Sequence, residues 1–310
     1  MRRTLVAAGL ALAIGAWAAA GAWGGRPGAW AQGFASRTDQ AEFLPGFRAQ
    51  GEVLYVVAIG SDARPGVCEP VERCLGDSIH LIGINASQRA ASILGIPRDS
   101  YVDIPGHGQG KINDALFLGG PELVVDTVEQ LAGVEVDHHF LTSFEGFRHM
   151  IEEIGGIAVE IPYPMSDASS GAVFPAGPAV LDGKQALAFA RNRKDVPNGD
   201  FSRTENQGLL MLAALSQFRR EVRKDPLRLF TWLIAGKRYI ITDLSLVELF
   251  DLALATMTIN PEKVVNRAVP GGIGLAGAAS IVTLGGEADA VFADIADDGV
   301  LESPGPTEDA

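Results

Sequence analysis

Between residues 53 and 104 the chain carries three short apolar runs, VLYVVAI (53–59), SIHLIGI (78–84) and ILGI (93–96), each bounded by turn-forming residues. Runs of this length, rich in Val and Ile and too short for helices, read as buried strands. The polar connection Asn85-Ala86-Ser87-Gln88 is tight, so the second and third runs pair as a hairpin. The third run continues as ILGIPRDSYVDI to residue 104, and Pro97, which has no N–H to give a ladder, ends the strand near that point. Arg98 and Asp99 are thereby left at a strand end.

Helical spacing takes over afterwards. Residues 112–118 and 121–131 read as helices, the second opened by Pro121, with Val124, Val125, Val128 and Leu131 on one face. An amphipathic helix runs from Phe144 to Ile154 and stops at Gly155-Gly156. Short strands flank it at 138–141 and 157–161, which puts His138 and His139 on opposite faces. A helix over 182–190 leads into Arg191-Asn192-Arg193, and a long helix begins at Ser202, where Ser202 and Glu205 match a capping box. Helices at 227–235 and 246–258 surround a strand at 239–242, strands follow at 264–269 and 280–284, and a last helix covers 287–295. The segment 163–179, rich in Pro, Gly and Ser, reads as a long loop. The glycine-rich stretches 106–111 and 272–277 read as loops too. The first fails the P-loop pattern, and the second is a GxGxxG that opens onto a strand instead of a helix.

Composition bounds the partners. The 310 residues are 47% hydrophobic and 20% charged, enough core for one large α/β domain or two small ones. A net charge of −13 argues against a nucleic-acid backbone as partner. Residues 184–225 nevertheless carry nine Lys/Arg against five Asp/Glu, which points to a local anion site, while the RREVRK stretch at 219–224 reads as a solvated helix face. Met1-Arg2-Arg3 precedes twenty uncharged residues, 4–23, about the length that spans a bilayer. The arginines would stay cytoplasmic and leave the rest outside. The run suits a signal anchor better than a cleaved signal, although Ala29-Trp30-Ala31 has the form of a cleavage site. Outside the membrane, Cys68 and Cys74 can oxidise to a disulfide; two thiols without nearby histidines make a poorer metal site.

The chain has no GxSxG elbow or HExxH, and its five histidines lack ligand spacing. What it has is a collection of arginines and aspartates at the ends of elements: Asp62, Asp77, Arg98-Asp99, Lys111 and Asn113, Arg191 and Arg193, and Asp200, Arg203 and Gln207 at a helix start. Arginine forks and a helix N-terminus suit phosphate, and carboxylates suit Mg²⁺ beside it. The class implied is phosphoryl chemistry run by charge neutralisation and positioning. The same residues are compatible with a pyrophosphatase or with a non-catalytic binder of anionic polymer.

At these residues the chain resembles the LytR–CpsA–Psr family of cell-wall glycopolymer ligases. The likeness rests on AIGSDAR (58–64), GDSIHLIGIN (76–85), GIPRDSYVDIPGHGQGKIN (95–113), GGPELVVDTVEQLAGV (119–134), FEGFRHMIEEIGGI (144–157), LDGKQALAFARNRKD (181–195) and GDFSRTENQ (199–207). Leu75 stands where the family usually has an arginine, with Arg73 close by to compensate. The resemblance implies a three-layer α/β/α sandwich around a central mixed β-sheet, with an N-terminal transmembrane helix. It divides the chain into an anchor (1–24), a linker (25–50), a catalytic core (51–225), a C-terminal α/β part packing on it (226–302) and a disordered acidic tail (303–310). It implies transfer of a glycopolymer from a polyprenyl-pyrophosphate carrier to a peptidoglycan hydroxyl, Mg²⁺-dependent and outside the cell membrane. Asp62 and Asp77 are the implied metal ligands, and Arg98, Asp77 and Asp200 the implied catalytic set. Arg64, Arg98, Lys111, Arg191, Arg193, Arg203 and Gln207 are the implied pyrophosphate ligands. Apolar faces around Phe117, Val124, Phe144 and Phe147 are the implied lining of a pocket for the polyprenyl chain.

Overall fold

The computed structural model describes residues 53–302, so the expected anchor, linker and acidic tail lie outside the described residues. Among the described residues no helix is long and apolar enough to cross a membrane.

A six-stranded mixed sheet forms the centre. Its strands are β1 (Val53–Ser61), β2 (Gly76–Asn85), β3 (Ala90–Gly95), β6 (His138–Ser143), β11 (Ile241–Thr242) and β12 (Val264–Ala268), in the order β11-β6-β1-β2-β3-β12. β1, β2 and β3 are antiparallel neighbours, whereas β6 runs parallel to β1 and β12 parallel to β3. Both edge strands, β11 and β12, therefore come from beyond residue 226, and the C-terminal segment completes the sheet itself.

Alternation along the central strands sends side chains to opposite faces of the sheet. Val57, Ile59, Ile79, Leu81 and Leu94 face one layer, built from α1 (Asp114–Gly119), α2 (Pro121–Ala132) and α8 (Gly286–Asp298). Leu54 and Val56 face the other side, where they meet Leu252 of α7 (Leu246–Thr256). The long helix α5 (Asp200–Lys224) lies on this second face, and its Thr204 carbonyl meets His80 of β2. Behind α5, a second core gathers α3 (Phe144–Glu153), α4 (Gly183–Arg191), α6 (Arg228–Tyr239) and the strands β7 (Ile157–Ile161), β8 (Met165–Asp167), β9 (Ala172–Phe174) and β10 (Gly177–Leu181). Local signals start these helices. Pro121 occupies the first turn of α2, Ser143 Oγ accepts from the Gly146 N–H in α3, and Asp182 and Gln185 form a reciprocal capping box on α4.

Several expectations are corrected. β3 ends before Pro97 as expected, but the rest of the run 93–104 forms a further strand, β4 (Tyr101–Ile104). The glycine-rich stretch after it supplies β5 (Gly108–Lys111), which pairs antiparallel with β4. The expected loop at 163–179 contains the β8–β9 hairpin, and the GxGxxG supplies β13 (Gly272–Ala276), paired with β14 (Ala279–Thr283). In each case glycine allows the tight reversal while backbone pairing still satisfies the strand. α5 starts at Asp200, two residues before the expected cap. Ser202 is buried and its Oγ accepts from the Asn198 N–H, so it is not the cap. His138 and His139 do not separate, because both rings reach the Asp243 carboxylate, at 2.7 and 3.5 Å.

The close approach of α8 to the sheet rests on Gly83. A Cβ there would lie 2.3 Å from the Gly299 carbonyl oxygen and 2.8 Å from its Cα. β2 is paired on both sides and Gly299 holds φ +77 at the helix end, so neither backbone can retreat. Gly83→Ala is expected to destabilise the protein by about 1–3 kcal/mol, read as a lower urea midpoint with unchanged slope; an unchanged midpoint would show that this contact yields freely.

Candidate functional site

The site gathers where β1 and β3 end and β2 begins. Gly60 pairs with Ser78 and Ser61 with Gly76, so Asp77 has no partner in the ladder and forms a bulge. A bulge re-aims the side chain it carries. The Asp77 carboxylate accepts a hydrogen bond from Arg98 Nη1, just beyond β3. Asp99 lies 3.8 Å from Arg98 Nε and accepts from Lys111 Nζ at 2.7 Å, which ties β5 into the same network. From the opposite layer Arg203 enters with only 3% of its side chain exposed. Its Nη2 donates to the Asp77 carbonyl at 3.3 Å, and its Nε lies 3.2 Å from Asp200 Oδ1. The structure thus brings Asp77, Arg98, Asp99, Lys111, Asp200 and Arg203 into one network.

A second group borders it. Asp62 continues from β1, and its Oδ1 accepts from the Leu75 N–H at 3.0 Å. Arg64 is half exposed, 4.0 Å from Asp62 Oδ2. The Arg64 and Arg191 guanidinium carbons lie 5.9 and 4.9 Å from the centre of the Phe144 ring, so one aromatic side chain carries both cations. Gln207 donates to the Ala190 carbonyl at 3.1 Å and so holds the end of α4 beside Arg191. Arg193 is exposed and lies within electrostatic range of Arg203. Six cations (Arg64, Arg98, Lys111, Arg191, Arg193, Arg203) therefore accompany four carboxylates (Asp62, Asp77, Asp99, Asp200). That excess of positive charge suits a diphosphate.

The electrostatics agree. Burial works against the charge of Arg98, but Asp77, together with Asp200 and Asp99, outweighs it and the pKa is raised. Arg203 is shifted the other way, first by burial and then by Arg98 and Arg193, with Asp200 and Asp77 opposing. Asp62 and Asp77 each keep Oδ2 clear of hydrogen bonds among the described residues. Two carboxylates completed by waters and phosphate oxygens fit Mg²⁺, which needs few protein ligands. Among the described residues no group of three or more His, Cys, Asp or Glu is assembled around a metal position.

Some expectations do not hold. Arg73 does not replace the missing arginine at Leu75, because its Nη1 donates to the Leu118 carbonyl at the end of α1. The four residues of the expected lipid pocket do not converge. Val124 is inside the first core, Phe147 packs on the second, Phe117 is exposed, and Phe144 lies under the two arginines. Cys68 and Cys74 are joined as a disulfide, which closes the loop that leads into β2. The sequence reading overlooked Asn192. It is fully buried between Arg191 and Arg193, and neither side-chain atom has a hydrogen-bond partner among the described residues. Its position inside the RNR triplet is the only signal the sequence carried. Asn113, whose N–H donates to the Arg98 carbonyl, also keeps an unpartnered Oδ1.

Comparison with known proteins places this geometry. The LytR_cpsA_psr family model matches residues 35–293. The polyisoprenyl-teichoic acid–peptidoglycan teichoic acid transferase TagU of Oceanobacillus iheyensis is 34% identical over 172 residues, covering 54% of this chain and 52% of the relative. The corresponding TagT of Bacillus subtilis is 32% identical over 182 residues, covering 57% and 55%. The chain thus spans about half the length of the curated relatives it matches. Among solved structures, B. subtilis TagV aligns with a TM-score of 0.66 at 22% identity over 82% of this chain and 99% of that one. TagT bound to LI-WTA aligns at 0.65 and 23%, over 85% and 97%. At these identities the structures establish a shared fold.

His80 links the sheet to the site helix and makes it sensitive to acid. Its Nε2–H donates to the Thr204 carbonyl and its Nδ1 accepts from Ser78 Oγ, both at 3.2 Å, as a neutral ring requires. Complete burial, aided by Arg203, pushes its pKa down to about 4. The unfolded chain therefore binds the proton first, and this contribution, whole above pH 6.5, is lost as pH falls from there toward 4. The loss amounts to roughly 3 kcal/mol at the low end. Urea unfolding across this range is expected to be steeper in pH for the wild type than for His80→Gln; equal slopes would remove His80 as the cause.

Proposed function

Because the chain belongs to the LytR_cpsA_psr family, we propose that it transfers a glycopolymer from a polyprenyl-pyrophosphate carrier to a peptidoglycan hydroxyl, leaving the two joined by a phosphodiester. The observation that carries the reading is the Asp77–Arg98–Arg203–Asp200 network at the strand ends, with Arg64, Arg191 and Arg193 around it. The TagU and TagT relatives, teichoic acid transferases acting on peptidoglycan, support the same class of reaction.

In this reading the acceptor oxygen attacks the phosphorus that bears the glycan. The bond from that phosphorus to the carrier's phosphate breaks, the carrier leaves as polyprenyl monophosphate, and the acceptor's proton is released. Negative charge grows on the leaving phosphate and on the oxygens of the transferred group. Arg98 and Arg203 answer it from fixed positions, so little reorganisation is needed as the charge develops. Asp77 and Asp200 hold those two guanidiniums, and Lys111 acts through Asp99 to keep Arg98 in place. Arg64, Arg191 and Arg193 receive the diphosphate at the more open side, and Gln207 positions Arg191 through Ala190. Asp62 and Asp77 are the residues to hold Mg²⁺, which when bound neutralises phosphate charge. The uncharged run at 4–23 behind Arg2-Arg3 would anchor the chain and leave the site outside the cytoplasm, beside peptidoglycan and the lipid carrier.

The test supplies the full chain with a polyprenyl-pyrophosphate-linked glycan, peptidoglycan and Mg²⁺, and looks for the covalent glycan–peptidoglycan product. Arg98→Ala is expected to lower its rate by about 10²–10³-fold, and chelation of the metal to stop it. Release of lipid monophosphate without that product would identify a pyrophosphatase. Tight binding without turnover or metal dependence would identify a binding protein.

A further inference from the structure

The far end of α5 departs from the solvated face that RREVRK leads one to expect. Ser216, Arg219, Arg220, Arg223 and Lys224 recur at helical spacing on one side of it and, with Asn260 and Pro261, line an open cleft of about 450 Å³. Arg220, Arg223 and Lys224 are exposed, but Arg219 is only 5% exposed. Its Nε and Nη1 are buried and have no hydrogen-bond partner among the described residues. No acidic residue lines the cleft. The neighbouring Glu221 is engaged by Arg228, Trp232 and Gln217, and Asp225 accepts from the Leu227 N–H. Asn260 uses its Oδ1 to cap the next turn, which leaves its amide NH₂ uncommitted.

Cations in the last turn of a helix ordinarily complement its dipole, and that explains the exposed Arg223 and Lys224. It does not explain a guanidinium buried with donors unsatisfied, because burying a charge is costly unless it is paired. Arginine cannot escape by losing its proton. Arg223 and Arg89 add positive potential at the same place. We infer that this cleft is a second anion site, built for a phosphoryl or phosphodiester group that Arg219 meets from below and Arg220, Arg223 and Lys224 meet from the rim. It is separate from the site around Arg98. Arg89 precedes β3 and Arg98 follows it, and sixteen helical residues from Arg203 to Arg219 span about 24 Å.

The experiment uses the full chain carrying Arg98→Ala, which weakens the first site, at constant ionic strength balanced with chloride. Thermal unfolding is followed against inorganic phosphate and, separately, against short-chain phosphatidylglycerol below its micelle concentration, with the phosphatidylcholine analogue as control. A saturable rise in Tm with either anion is expected. It should disappear on adding Arg219→Met and weaken several-fold on adding Arg223→Gln, an exposed change that leaves the fold intact. A response to phosphate marks the source as free or polymer-borne phosphate, and a response to phosphatidylglycerol alone marks a lipid headgroup; both support the site. Without anion, Arg219→Met should raise Tm, since the neutral side chain no longer buries an unpaired charge. No response to either anion, or one unchanged by both substitutions, would overturn the inference.

Discussion

The burial of the Arg203 guanidinium beneath the start of β2 is the interaction on which the site depends. A charge this enclosed needs fixed partners, and it finds them in the Asp77 carbonyl on the sheet and the Asp200 carboxylate one turn back on its own helix. The seam admits it because small or neutral groups surround it. A Cβ at Gly95 would come within 2.3 Å of the Thr204 methyl, so α5 can lie this close only over a glycine. His80 contributes a neutral ring where a protonated one would repel Arg203. Packing, protonation and charge pairing at one helix turn thus hold the two layers of the site together.

The bulge at Asp77 follows from the same seam. A regular ladder would have continued the alternation of β2 and given Asp77 a partner on β1; the extra residue instead frees its carboxylate to meet Arg98 and its carbonyl to meet Arg203. One residue thereby joins the strand ends to the helix start. At the other end of α5 no such matching occurs, and Arg219 is enclosed without a counter-charge. The helix carries buried positive charge at both ends, answered by carboxylates at one and unanswered at the other.

Much of this was legible in the chain. The short Val- and Ile-rich runs are too brief for helices and became β1, β2 and β3, and the spacing of Val124 and Val128 became the buried face of α2. Arg98, Asp77, Asp200 and Arg203 were recognisable as chemistry because charges at element ends recur in one family's motifs. Glycine-rich segments were misread because glycine permits both loops and tight hairpin arms, and only a paired neighbour distinguishes them. The start of α5 was misread because Ser202 and Glu205 satisfy a local rule that tertiary packing overrode when it buried Ser202. Asn192 and Arg219 gave no signal of burial, since polar residues in a basic stretch read as solvated until another layer covers them.

The sequence by itself determined the α/β class, the hairpin pairing of β2 with β3, and which residue types could meet a diphosphate, because periodicity and turn chemistry act over a few neighbours. Only the tertiary structure decided which charges converge. Arg98 and Arg203 lie 105 positions apart and meet around Asp77 because β3 ends where α5 begins across the sheet. Arg73, close to Asp77 in the chain, instead donates to the Leu118 carbonyl at the end of α1. Proximity along the chain sets local geometry, but the assembly of buried charge depends on layers that the chain brings together only on folding.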